Sequence, residues 1–330
     1  MRMASDESVP EPLTSGGQIC AVVVTHHPDA ELPARVTRLL AQLGAVVIVD
    51  NGSRNAALDV LRELSARPRI TVVFNPDNLG VARALNIGIE RARGLGFGWM
   101  LLMDQDSAIE EAMTRTLIDV RASFPDASRL AVIGAGFGND ADPRPNPPPA
   151  RSQARDDPRD DPGDDPGDDP GDEARGREWE EVESVITSGS LIAAATHAAI
   201  GPFREDFFID YVDIEYCFRA RAMGYRVIKT RRPLMVHAIG APSRHRVLWT
   251  RKWTTNHSAD RRYYMARNDT VMLREYGHYA LGSWALKSLL RRLRTCKRIL
   301  LYERAKTRKT LAVAQGWWDG VRGRLGPRSG

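Results

Sequence analysis

Two hydrophobic periodicities alternate along the first part of the chain. Apolar, β-branched runs at "ICAVVVTHH" (19–27), "AVVIVDNGS" (45–53), "ITVVFNP" (70–76) and "WMLLMDQD" (99–106) each end in polar residues. Between them, "ELPARVTRLLAQLG" (31–44), "NAALDVLRELSA" (55–66) and "GVARALNIGIERARGLG" (80–96) place apolar residues at helical spacing. Strand alternating with helix predicts a mostly parallel, Rossmann-like α/β sheet flanked by helices. Ligands of such sheets bind beyond the carboxyl ends of the strands. Thr25, Asp50, Asn51, Asn78, Asp104 and Asp106 all fall at or just after those ends, so they are expected to converge on one crevice.

Asp104 and Asp106 pose the sharpest question, because a buried strand gains no stability from ending on two like charges. If extended geometry continues through Gln105, residues i and i+2 share a face and the two carboxylates point together. A hard divalent cation bridging them to phosphate relieves the repulsion. The structural alternative is that Asp106 and Ser107 cap a helix beginning in "SAIEEAMTRTL". The turn after the first strand reads "THHPDAELP", with no glycine-rich phosphate loop, which argues against a dinucleotide-binding enzyme.

Composition adds an asymmetry. The net charge is only +5, yet residues 155–173, "RDDPRDDPGDDPGDDPGDE", hold ten acids and two arginines, a balance of −8. From Lys229 to Lys309 there are 21 Lys and Arg against four Asp and Glu, a balance of +17. The acidic repeat carries Pro or Gly at every step and is expected to be a solvated insertion, spanning 140–177 with its flanks. The basic half calls for an anionic partner: nucleic acid, a membrane surface or a phosphorylated substrate. Cys20, Cys217 and Cys296 show no paired or metal-binding spacing and fit a reducing compartment. The N-terminal 1–18 is polar and turn-rich and is expected to be a disordered arm, not a signal peptide.

The segments "VVVTHHP", "VIVDNGS", "NPDNLGVARALNIGI", "LLMDQDS", "SGSLIA" and "FFIDYVDIEYCFRARAMGYRV" together resemble inverting family 2 glycosyltransferases of the GT-A fold. The later runs "NHSADRRYYMARN" and "LLYERAKTRKTLAVAQGWWDGVRGRLG" are similar to bacterial rhamnosyltransferases that use dTDP-L-rhamnose, including those that convert mono- to di-rhamnolipid. The likeness covers about 19–326 apart from the insertion. It implies a glycosyltransferase domain over 19–270 and a basic helical extension over 271–330.

The resemblance also implies roles. Asp50 would bind the pyrimidine, with Thr25, His26 and Asn51 lining its pocket and Asn78, Gly80 and Asn86 closing over the nucleotide. Asp104 and Asp106 would form a D-x-D pair for Mg²⁺ or Mn²⁺, with His237 near the metal. Asp213 would be the general base, although Val212 stands where the family usually has Glu; Glu215 is a second carboxylate nearby. Arg262, Tyr263 and Arg267 would hold the donor diphosphate and sugar. The acceptor would be a rhamnosylated glycolipid or a lipid-linked polysaccharide.

A reading from another class takes the same basic and aromatic patch as a non-catalytic nucleotide or RNA site. Only an enzyme needs Asp104, Asp106 and Asp213 together, and the enzyme reading excludes nucleic acid as a partner. Finally, Trp284 to Leu301 combines apolar residues at helical spacing with Lys287, Arg291, Arg292, Arg294, Lys297 and Arg298. A basic amphipathic helix predicts attachment to an anionic leaflet, on the cytoplasmic face of the bacterial inner membrane.

Overall fold

The computed structural model describes residues 12–138, 177–237, 243–247, 250–254, 257–277 and 283–328. The predicted acidic insertion therefore lies outside the described residues, apart from Arg177.

The strands are β1 (Ile19–Thr25), β2 (Ala45–Asn51), β3 (Ile70–Asn75), β4 (Trp99–Asp104), β5 (Ser107–Ile109), β6 (Leu130–Gly138), β7 (Trp179–Glu181), β8 (Ser190–Ala193), β9 (Arg226–His237) and a hairpin of β10 (Ser243–Val247) and β11 (Thr250–Thr254). The helices are α1 (Leu32–Gln42), α2 (Ala56–Ser65), α3 (Val81–Gly94), α4 (Met113–Ser123), α5 (Ala194–Ile200), α6 (Val212–Ala222), α7 (Ala259–Tyr276), α8 (Ser283–Tyr302) and α9 (Lys306–Arg322).

The main sheet runs β3-β2-β1-β4-β8-β6-β9-β5, with β7 also on β9. Its first four strands are parallel, as the helical spacers between them demand. Past β4 the sheet is mixed: β8 is antiparallel to β4 and β6, and β5 and β7 are antiparallel to β9. Within this half, β6 and β9 are parallel to each other. The expected parallel, Rossmann-like alternation occupies the β3-β2-β1-β4 half, and the sheet is flanked by helices as expected.

β1 and β2 are buried on both faces, and alternate residues feed two cores. Ile19, Ala21 and Val23 pack with α1, α2 and α4 through Leu32, Leu61 and Leu117. Cys20 and Val22 pack with α3, α6 and α7 through Leu85, Tyr216 and Met272. The strand order reverses between β1 and β4, so the crevice at their carboxyl ends is the topological switch point of the sheet.

Two expectations change. Residues 12–18 of the predicted arm are ordered: Leu13 is buried in the first core, and the Gln18 side chain accepts from the backbone of Thr14 and Ser15. The helix expected from Ser107 begins only at Met113, because Ser107–Ile109 pair with Met235–His237 as β5. Asp106 therefore caps no helix. Extended geometry also does not run through Gln105, since Gln105 and Asp106 form the turn between β4 and β5.

Candidate active site at the carboxyl ends of the parallel strands

Register brings the first group of polar residues together. Thr25 lies opposite Asp50, Val24 opposite Asp104, and Asn51 opposite Asn75. The Asp50 carboxylate is buried and accepts from the hydroxyls of Thr25 and Ser53 and from the Ser53 backbone N–H. Asn51 donates to Asn78 Oδ1 (2.9 Å) and accepts from the Leu79 backbone N–H (2.9 Å). Asn78 Oδ1 in turn accepts from the Gly80 backbone N–H. His26 is exposed at the rim, its Nδ1 3.0 Å from the Asn51 carbonyl and its backbone N–H on Gln105 Oε1 (2.7 Å). Thr25 and Ser53 thus form a mesh around Asp50, and His26, Asn51, Asn78 and Gly80 form an adjoining one. Gly80 has φ +87°, and a Cβ there would lie 2.6 Å from the Phe208 carbonyl oxygen, so the turn admits little but glycine.

Asn86 stands apart from both meshes. Its buried amide donates to the Phe203 carbonyl and Glu205 Oε1 and accepts from the Phe203 N–H. It clamps the 203–205 loop to α3, a structural task that occupies the side chain expected to meet the nucleotide.

The half-buried carboxylates of Asp104 and Asp106 follow the end of β4. Among the described residues no group of three or more His, Cys, Asp or Glu side chains is arranged to hold a metal. Among them, Asp104 and Asp106 would offer two hard oxygen ligands, a set that suits Mg²⁺ or Mn²⁺ when phosphate oxygens complete the shell. The backbone of His237 is paired directly with Ser107, next to Asp106. The side chain of His237 lies outside the described residues.

The loop "TSGS" before β8 joins this pair to Asp213. Ser188 Oγ accepts from the Asp104 N–H (3.1 Å) and donates to Ser107 Oγ. Its neighbour Thr187 donates its backbone N–H to Asp213 Oδ2 (3.1 Å), while Oδ1 takes the Ile214 N–H (2.9 Å) in the first turn of α6. Burial pushes the Asp213 carboxyl above its ordinary range and Asp210 adds to the shift, against the lowering effect of these backbone donors. A half-buried carboxylate raised in this way is suited to accept a proton. Glu215 is not a rival: it is buried, paired with Arg219 at 3.1 Å and bonded by the Tyr276 hydroxyl (2.8 Å). Val212, in place of the expected Glu, is packed in the core.

α7 corrects the reading of the basic patch. Arg262 is buried against Glu303, which also pairs with buried Lys309 at 2.7 Å. The Tyr263 hydroxyl donates to Asp319 on α9 (2.9 Å). Arg267 is fully buried and donates to the carbonyls of Asp206, Phe207 and Gly326. These three side chains, expected on the donor, are turned inward, because α8 and α9 cover that side of the helix.

On α7, Arg261 is the cation that feels the charges of Asp104 and Asp106; Arg35, on α1, donates to the Gln105 carbonyl between them. Arg261 grips Asp210 through Nε and Nη2 at 3.0–3.3 Å. Burial opposes its charge, but the pairing with Asp210 and the fields of Asp104 and Asp106 prevail, and its pKa is raised. Asp210, also raised by burial against the pull of Arg261, carries no sequence signal of its own.

Asp210 and Asp213 are carried by a strained segment. Phe208 (φ 66°), Asp210 (φ 61°) and Tyr211 (φ 65°) all have positive φ, and the Ile209 N–H bonds the Phe207 carbonyl in a γ-turn. Each such residue costs roughly 1–3 kcal/mol. α7 supplies the restraint: the Asn268 amide donates to the carbonyls of Phe207, Ile209 and Asp210 at 2.9–3.0 Å, and the Tyr211 hydroxyl donates to Asp269.

Comparison with known proteins agrees with this architecture. Residues 20–160 match the model of the glycosyl transferase family 2. The chain is 28% identical over 258 residues to the dTDP-rhamnosyl transferase RfbF of Shigella flexneri, covering 78% of this chain and 80% of that protein. Among solved structures, it is similar to the mannosyltransferase PcManGT from Pyrobaculum calidifontis in complex with GDP-Man and Mn²⁺, with TM-score 0.53, 14% identity, and coverage of 96% of this chain and 90% of that one. S. aureus TarS 1-349 in complex with UDP-GlcNAc gives TM-score 0.54, 14% identity, and coverage of 92% and 81%. The structural likenesses fix the fold as GT-A, and the chain is a glycosyltransferase.

Proposed function

We propose that this glycosyltransferase moves L-rhamnose from dTDP-L-rhamnose to a hydroxyl of a sugar-bearing lipid, with inversion at the anomeric carbon. The observation that carries the donor assignment is the likeness to the dTDP-rhamnosyl transferase over four-fifths of that protein's length. The mesh around Asp50 supports a pyrimidine nucleotide site: a buried carboxylate at a strand end accepts a ring N–H. Asp104 and Asp106 would hold Mg²⁺ or Mn²⁺, which when bound offsets negative charge on the leaving diphosphate.

In the reaction the acceptor oxygen bonds to the anomeric carbon as the bond from that carbon to the diphosphate oxygen breaks. The hydroxyl proton passes to Asp213, and dTDP departs with the bonding pair. Arg261 is the cation we assign to the departing charge, in place of Arg262 and Arg267. Asp210 holds it in the crevice.

For the acceptor, a mono-rhamnolipid, extended to di-rhamnolipid, and a lipid-linked saccharide of O-antigen type are both sugar-bearing amphiphiles. α8 supports a membrane-borne acceptor. Leu286, Leu289, Leu290 and Leu293 stand exposed along one side of it, with Leu300 and Leu301 at its end. Arg294 and Lys297 are exposed beside them. We assign this face to an anionic leaflet, on the cytoplasmic side where nucleotide sugars are made. No helix among the described residues is long and apolar enough to cross a bilayer.

The test is transfer of radiolabelled rhamnose from dTDP-L-rhamnose to rhamnosylated lipids, with the anomeric configuration of the product read by NMR. Turnover that needs added Mg²⁺ or Mn²⁺ and stops in chelator is expected. Failure to consume dTDP-L-rhamnose with any acceptor, or full activity in chelator, refutes the donor or the metal assignment respectively.

A further inference from the structure

A cleft of about 290 Å³ opens between the first turns of α7 and α9. His257, Ser258, Asp260, Arg304, Arg308 and Lys309 line it. Its charge is one-sided. Asp260, the acid of the lining, is paired with Arg328 at 2.7 Å. Lys309 and Arg262 share the carboxylate of Glu303. Arg304 and Arg308 are exposed, and among the described residues neither has an ion-pair partner. Burial, then Arg261, Arg262 and Lys309, push the His257 imidazole down to about 4, so at neutral pH it is an uncharged hydrogen-bonding group.

Two further features single the cleft out. Ala305, at its wall, is held at φ 54° and ψ 44°, a left-handed conformation that a non-glycine residue adopts at a cost. The cleft also lies between two regions already described. Asp260 on its wall precedes Arg261, the partner of Asp210, and Arg304 follows two residues after the end of α8, whose last turn exposes Leu300 and Leu301.

We propose that this cleft binds the anionic group carried by the acceptor's lipid portion. In this arrangement Arg304 and Arg308 grip the phosphate or carboxylate, the lipid runs along α8, and the sugar hydroxyl reaches Asp213. The inference rests on the reading of the protein as a transferase with a lipid-borne acceptor, and it adds a site for the acceptor's charge.

The experiment compares the full chain with its Arg304→Ala, Arg308→Ala double variant on three acceptors: a prenyl-diphosphate-linked rhamnose, a rhamnosylated hydroxy fatty acid with a free carboxylate, and neutral octyl rhamnoside. Both substituted residues are exposed, so the variant should fold. For the anionic acceptor that the parent uses, KM should rise about tenfold or more, the loss of charge-assisted hydrogen bonds. KM for dTDP-L-rhamnose, donor hydrolysis by water and transfer to octyl rhamnoside should stay unchanged. Whether the diphosphate or the carboxylate acceptor carries the effect identifies the anion. An equal loss on octyl rhamnoside, or no loss on any acceptor, overturns the proposal. A second arm needs no turnover: inorganic phosphate in chelator should raise the Tm of the parent and not of the double variant, and equal shifts overturn the proposal. A parent that consumes no donor, yet shows the phosphate shift lost in the variant, refutes the transferase reading and leaves the anion site standing.

Discussion

On the β1–β4 side of the crevice, the polar groups hang from strand ends whose register fixes them, and they bond mainly to one another. On the 206–213 side, Asp210 and Asp213 ride on backbone with three positive-φ residues, held from outside by the side chains of α7. The first region gains its order from the doubly buried strands beneath it, where each core Val or Leu contributes roughly 1.5–3 kcal/mol. The second stores strain that Arg267 and Asn268 must offset. On the proposed roles, the sheet already provides the scaffold for a nucleotide, and the raised carboxylate of Asp213 is positioned by tertiary restraint.

The comparison is tested most severely by Asp213→Asn. The variant keeps size and loses proton acceptance, so kcat should fall by ~10² or more with donor affinity unchanged, as read by radiolabel transfer and nucleotide titration. A rate near the parent's would move the base elsewhere, and Glu215 is already committed to Arg219 and Tyr276.

Asn268→Ala should come next. Leaving the buried carbonyls of the strained segment without their donor is expected to lower stability by about 1–3 kcal/mol in urea melts, and to lower kcat more than it raises the donor KM. Asn51→Ala supplies the mirror image, raising donor KM with the smaller effect on kcat. If both variants changed the same parameter, the division of labour would be wrong.

A third prediction concerns pH. The base must be ionised, so kcat/KM should fall as pH drops through the raised pKa of Asp213, placing the acid limb above the ordinary range of an aspartate. Asp210→Asn removes a neighbouring negative charge, which lowers the Asp213 pKa and moves that limb to lower pH. It also releases Arg261, so the plateau should drop. A limb that stays in place assigns the titration to another group.

The smallest expected effect on catalysis lies in the buried cluster of α7. Glu303→Gln leaves Arg262 and Lys309 without their carboxylate, so the penalty, about 3–5 kcal/mol, should appear in stability and scarcely in donor KM. A large rise in donor KM would return Arg262 to the diphosphate.

How far the sequence disclosed this division follows from what each half depends on. Strand ends are visible because an apolar run stops, so Thr25, Asp50, Asn51, Asp104 and Asp106 could be located without coordinates. The turn at Gln105 was not visible, because β5 exists only through its pairing with β9. In "SADRRYYMARN" successive residues step round the helix, and no apolar stripe says which side faces inward. The packing of α8 and α9 decides it, turning Arg262, Tyr263 and Arg267 in and leaving Arg261 out. Asn86 and Asn78 look alike in sequence; only the 203–205 loop, 117 residues away, distinguishes them. The positive φ of Phe208, Asp210 and Tyr211 has no signature, since none is a glycine.

The backbone bond from Thr187 to Asp213 gives this enzyme a built-in spectroscopic probe. An amide that donates to a titrating carboxylate changes its shielding when the proton arrives, so the ¹⁵N–¹H resonance of Thr187 should trace the ionisation of Asp213 directly. Its neighbour Ser188 accepts from the Asp104 backbone. The amide cross-peaks of Thr187 and Asp104 would thus read the two carboxylate-bearing sides of the crevice in one spectrum, with no substrate present and no side chain altered.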